Sequence, residues 1–123
     1  AAADMSRAFR MSEVFAQVFE VIEVAYRRAI DPASMSAARF ITHLRYLFVR
    51  ADQGKIGAAG AGISQPSLLA ALRADAPRAY ACAQKVLLLL EMQLQQPLTQ
   101  DELTYLTSHI VRLAKDLWGA APA

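Results

Sequence analysis

"LTQDELTYLTSHIVRL", residues Leu98 to Leu113, holds the best-defined helix start in the chain and one of its two histidines. Thr99 and Glu102 have the spacing of a capping box, and Leu98 with Leu103 suits the hydrophobic staple around it. A helix therefore begins at about Gln100. Leu103, Leu106, Ile110, Leu113 and Leu117 then recur on one face, and Gly119 offers a C-terminal stop. On a wheel turning about 100° per residue, the stripe is centred between Leu103 and Leu106, and His109 lies about 80° from that centre. His109 is thus a shoulder residue. Tyr105 lies four positions before it, Arg112 three after and Asp116 seven after, all within reach of a group attached to the ring.

The same period runs through the rest of the chain, and no segment alternates apolar and polar residues for long enough to suggest a strand. In the first helix Met11, Val14, Phe15, Val18, Phe19, Ile22, Ala25 and Tyr26 form an apolar stripe, with Glu13, Gln17, Glu20 and Arg27 outside it. The Asp31–Pro32 pair interrupts that pattern. A second helix is expected from about Ser34 to Ala51, with Phe40, Ile41, Leu44, Leu47 and Phe48 facing inward. A short third helix opens at Pro66 or Ser67 and runs to about Ala74. Pro77 suits the first turn of a fourth, reaching about Gln95, because a first-turn proline sacrifices no helical hydrogen bond. The expected fold is all-α, a compact five-helix bundle forming one domain over 1–123, with its core at about 12–118. Between the second and third helices, "DQGKIGAAGAGISQPS" carries four of the five glycines and reads as a flexible loop over 52–67.

At 123 residues the chain is long enough to bury roughly two-thirds of the surface that its unfolded form exposes. Its 55% apolar and 20% charged residues suit a globular domain. A net charge of +2, with basic and acidic residues interleaved, leaves no basic footprint for nucleic-acid phosphates. The single cysteine, Cys82, has no disulfide partner and no zinc spacing, which suits a reducing cytoplasm and a buried packing role. "VLLLL", Val86 to Leu90, is far short of the roughly 18 apolar residues of a membrane span, and "AAADMSRAFR" lacks the apolar region of a signal peptide.

His43 repeats the arrangement around His109. It too sits about 80° from the middle of its apolar stripe by the helical wheel, with Arg39 four residues before it, Tyr46 three after and Arg50 seven after. Two readings stay open from spacing alone. A shoulder histidine can simply pack against a neighbouring helix and give one N–H to a carbonyl. Alternatively, neutral imidazole beside guanidinium groups can accept a phosphoryl group, since the ring is a nucleophile near neutral pH and arginine holds the resulting dianion. A metal site lacks a second ligand four residues from either histidine. No serine or cysteine stands in a nucleophile motif, and "GKIGAAGAG" lacks both a Walker ending and a preceding strand. Neither an enzyme nor a cofactor is expected.

Three segments resemble the PTS regulation domain (PRD) family of BglG- and LicT-type transcriptional antiterminators and related bacterial activators. "FITHLRYLFVR", Phe40 to Arg50, is similar to the family's first histidine block. "LTQDELTYLTSHIVRL" is similar to the second, with its D/E-E-L/I-x-Y-L/I-x-x-H-I/L pattern, and "PRAYACAQKV", Pro77 to Val86, resembles the stretch opening the helix before it. Together they span about Ala33 to Ala114 in the family's order, while the first helix fits only as a generic amphipathic helix. Thr42 precedes His43 where many first-copy domains carry Asp, so the chain looks more like the second of two tandem copies.

The resemblance implies a five-helix bundle that brings His43 and His109 to a common region. It further implies that both are phosphoacceptors for the phosphocarrier protein HPr or a sugar-specific enzyme II, in a regulator that responds to sugar supply. The apolar stripes leave room for a symmetric helix-mediated homodimer, whose arrangement charge on the two histidines is expected to set. From the wheel, and not from the family, Arg39, Arg50 and Arg112 are nominated as supporting phosphate contacts. This domain itself is expected to contact neither RNA nor DNA and not to insert into a membrane. The alternatives are a histidine phosphotransfer relay bundle, with one exposed acceptor, and a plain helical dimerisation or interaction module.

Overall fold

Five helices carry the chain in the computed structural model, which describes residues 2–55 and 66–119. Helix α1 spans Ala2–Tyr26, α2 Met35–Asp52, α3 Pro66–Asp75, α4 Pro77–Leu94 and α5 Gln100–Trp118. Among the described residues there is no strand, and no helix is long and apolar enough to cross a membrane. Most of the glycine-rich loop, 56–65, lies outside the described residues.

Local chemistry explains the boundaries. The Ser34 hydroxyl caps α2 by accepting from the Ala37 amide at 3.2 Å, satisfying one of the N–H groups that a helix start leaves unpaired. Pro77 occupies the first turn of α4, as expected. Gly119 ends α5 at φ +60°, where its N–H reaches the carbonyls of Ala114 and Lys115, a left-handed stop that glycine adopts without Cβ strain. The apolar stripe set no start for the first helix. Helix α1 starts at Ala2, well before the apolar stripe, because Ala, Met and Arg favour helix on their own. Met5 and Phe9 on that extension stay exposed.

Packing follows the stripes. Helix α4 lies against α5 and α1, α2 bridges α5 and α1, and α3 covers α4 and α5. Val18 and Ile22 of α1, Phe40, Leu44 and Leu47 of α2, Val86 and Leu90 of α4, and Leu106, Ile110 and Leu113 of α5 fill the interior, each at most 1% exposed. Ile41, expected inward, is only partly buried. Cys82 is buried as expected, and its thiol pKa is pushed up to about 11, mainly by that burial. Edge-to-face pairs, Phe15 with Phe48 at 5.8 Å and Phe19 with Phe40 at 6.1 Å, tie α1 to α2. Phe40 of the second pair also packs against His109.

Candidate functional site

Helix α2 presents His43 and α5 presents His109 at the seam between them, with ring centroids 4.9 Å apart and planes inclined by 34°. Both rings belong to a four-ring ladder. The phenol of Tyr105 stacks on the outer face of His43 at 5.2 Å, and His109 rests on Phe40 at 5.5 Å. Tyr105 is 56% exposed whereas Phe40 is fully buried, so the ladder descends from water into the core. His43 thus packs against Tyr105 and His109, and His109 against His43 and Phe40.

One edge of His43 is occupied. Its Nε2 lies 3.2 Å from Oε2 of Glu102, whose other oxygen accepts from Nη2 of Arg50. The Glu102 side chain is 9% exposed and that of Arg50 27%. This is a charge-assisted pair at the boundary of the core, where it is screened less than a surface pair. No partner among the described residues contacts Nδ1 of His43 or either nitrogen of His109. None of these atoms is sealed, because no side-chain N or O among the described residues is both buried and unpartnered. The seam therefore offers open imidazole nitrogens at the edge of an apolar stack.

His109 is held neutral. Burial of the ring is the main cause, with the neighbouring His43 and Arg112 adding to it and Glu102 opposing, and its pKa falls from 6.5 to about 4. Neutral imidazole keeps a lone pair, the requirement for a nucleophile. The same shift has a consequence for stability. An unfolded chain binds this proton at about 6.5 and the folded chain only near 4, so acid favours the unfolded form between those values. Stability is expected to be unaffected by this group above pH 6.5, to fall as pH drops from there toward 4, and to level off below. Discounted for solvent at a half-open site, the loss amounts to about 1–2 kcal/mol. Urea unfolding across that range, compared with His109→Asn, isolates the effect; parallel curves for the two proteins would refute it.

The nominated arginines have different placements. Arg39 and Arg112 are exposed and form no ion pair among the described residues, and Arg112 is close enough for its charge to act on His109. Arg50 is already paired with Glu102. Two flanking residues behave differently from their spacing: Tyr46 is 63% exposed, and Tyr105 stacks on His43 of the other helix, not on its own-helix neighbour His109. Asp116 accepts from the Ser36 hydroxyl at 2.6 Å, linking α5 to α2.

Glu102 is the residue that sequence reasoning assigned to a different task. The capping box exists only by half: the Thr99 hydroxyl accepts from the Glu102 amide at 3.4 Å, but the Glu102 carboxylate turns away from Thr99 to Arg50 and His43. A half-buried guanidinium is a stronger partner for a carboxylate than a backbone amide. A signal was available, because Glu102 precedes His109 by the same seven residues that separate His43 from Arg50.

Comparison with known proteins places the chain in a family. The chain matches the PRD domain over residues 16–113. It is 27% identical over 112 residues to Transcription antiterminator LicT of Bacillus subtilis (strain 168), covering 91% of this chain and 39% of that protein. The PtsGHI operon antiterminator of the same organism is 27% identical over 114 residues, covering 92% and 38%. Protein GlcT of Staphylococcus epidermidis is 27% identical over 90 residues, covering 73% and 30%. The chain thus spans about two fifths of the length of the first two relatives. No solved structure matches it. The family match contains Phe40, His43, Tyr105 and His109, the whole ring ladder, and the chain belongs to the PRD domain family.

Proposed function

We propose that this chain is the regulatory phosphoacceptor domain of a bacterial transcriptional regulator of the antiterminator type, acting in the cytoplasm, with His43 and His109 as acceptors. The donors are the phosphocarrier protein HPr, a sugar-specific enzyme II, or both. The observation that carries the reading is the meeting of two imidazoles, 4.9 Å apart, at a seam with unsealed ring nitrogens. The antiterminators among its relatives supply the regulatory context. RNA or DNA contact belongs to another part of the parent protein.

Phosphorylation adds roughly 1.5–2 negative charges and three acceptor oxygens. Attached at this seam, such a group adds its negative charge to a site that already holds the Glu102 carboxylate paired with Arg50. The α2–α5 contact is then the element whose arrangement is biased by charge. A homodimer can read that bias through helix faces not used in the core. Met5 and Phe9 on α1 and Leu88 and Met92 on α4 are exposed apolar residues of this kind, and Arg10 donates to the Gln93 carbonyl, joining those two helices.

The test is direct. Incubated with phosphorylated HPr or enzyme II, the protein should gain acid-labile phosphate on histidine, and sedimentation should show a changed monomer–dimer distribution. No uptake from either donor class would discard the acceptor reading. Uptake without any change in association would discard the dimer link alone.

A further inference from the structure

We propose that Glu102 is a positioning residue that keeps the proton of His43 on Nε2 and thereby directs an incoming phosphoryl group to Nδ1. The inference rests on the acceptor reading above and adds to it the atom that reacts and the side chain that selects it.

The geometry leaves little freedom. Glu102 lies in the first turn of α5, mostly buried, with one oxygen committed to Arg50 and the other 3.2 Å from His43 Nε2. An ionised carboxylate only accepts hydrogen bonds, so the facing nitrogen of a neutral imidazole must be the one that carries hydrogen. The lone pair then sits on Nδ1. Which nitrogen of a histidine is protonated is set by the partner of the other one. The rings of Tyr105 and His109 pack against His43 at 5.2 and 4.9 Å between centroids, which disfavours tilting of its plane away from Glu102. Nδ1 has no partner among the described residues and is not sealed from water. Arg50 completes the arrangement by donating to the other carboxylate oxygen, which orients Glu102.

In the transfer step the Nδ1 lone pair forms a bond to the phosphorus of a phosphohistidine donor. The donor's N–P bond breaks and its electron pair returns to the donor ring, which carries a proton on its other nitrogen and departs as neutral imidazole. His43 keeps its Nε2 proton, so the product is an imidazolium bearing the phosphoryl group, with Glu102 facing the N–H. This is the role that a buried carboxylate plays toward a histidine in a catalytic triad: orientation, tautomer choice and stabilisation of the imidazolium. Retaining that proton keeps the ring a good leaving group. Phosphate on His43 is accordingly expected to return readily to unphosphorylated donor.

The full chain labelled with 15N provides the test. Long-range proton–nitrogen NMR at neutral pH reports the tautomer of each ring, and with only two histidines a His109→Asn variant assigns the signals. His43 should favour the Nε2–H form by roughly tenfold or more, the bias expected of a charge-assisted hydrogen bond. After treatment with phosphorylated HPr, the His43 phosphate should be on Nδ1. In Glu102→Gln, Arg50 retains the amide oxygen and the NH2 group faces Nε2, so the tautomer should reverse to Nδ1–H and, with Nε2 still covered by the side chain, phosphate uptake on His43 should be lost. A residue that only supported the fold would not move the proton from one nitrogen to the other. Predominant Nδ1–H in the unmodified protein, or phosphate on Nε2 of His43 in the wild-type chain, would overturn the inference and leave the acceptor reading standing. Absence of phosphate from both histidines would overturn the acceptor reading and this inference with it.

Discussion

A chain carrying both His43→Ala and His109→Ala should take up no phosphoryl group from phosphorylated HPr or enzyme II. The chain contains no other histidine, so no other acceptor of this chemical type exists in it. The single variants discriminate more finely. His43 and His109 share one seam, and each alone should retain uptake, at up to half the wild-type stoichiometry. Loss of one ring also removes a stacking partner from the other. Removing His109 separates His43 from Phe40, and removing His43 leaves Tyr105 without support. Circular dichroism and urea unfolding of each variant therefore belong beside the labelling. Full labelling of a folded double variant would refute the assignment. Labelling of only one single variant would make the other histidine a structural member of the stack.

The five helices were legible because each buries one face, and a buried face imposes a period of about 3.6 residues on the sequence. Helix ends were legible where the signal is local: Ser34, Thr99 and Gly119 cap with groups that lie within a few residues of what they satisfy. Both histidines could be placed on helix shoulders by the same reasoning. What the wheel could not supply was the relation between shoulders. Rotation about a single axis says nothing of which neighbour lies across the seam, so the stacking of Tyr105 on His43 was invisible until α2 and α5 were docked. Glu102 was misassigned for the same reason. Its spacing from Thr99 describes a local cap, and only the tertiary approach of Arg50 and His43 offers the stronger partners that draw it away. The start of α1 could not be read for the opposite cause: residues 5–10 are exposed, so they leave no apolar period to detect.

Phe40 joins the stability of the fold to the chemistry of the site, and Phe40→Ala should alter both. The ring is fully buried, meets Phe19 of α1 edge-on and supports His109 from below. Truncation removes its buried apolar surface and leaves a cavity that a bundle of interlocked side chains can only partly close, a change that costs about 3–5 kcal/mol. For a domain of this size, with total stability on the order of 5–15 kcal/mol, that is a large share, measurable as a lower urea midpoint with little change in slope. The same cavity changes the surroundings of His109. Its pKa of about 4 arises first from burial, and water admitted beneath the ring weakens that cause. NMR titration of His109 should therefore show the pKa moving up from about 4 toward 6.5. As the folded value approaches the unfolded one, the acid-sensitive window narrows and the fall of stability below pH 6.5 becomes shallower. Phe40→Leu, which keeps most of the apolar volume, should lie between wild type and Phe40→Ala in both measurements. A folded Phe40→Ala protein in which His109 still titrated near 4 would mean that the ring's environment is set from the His43 side of the stack, by the electrostatics of His43 and Arg112, and not by the hydrocarbon floor.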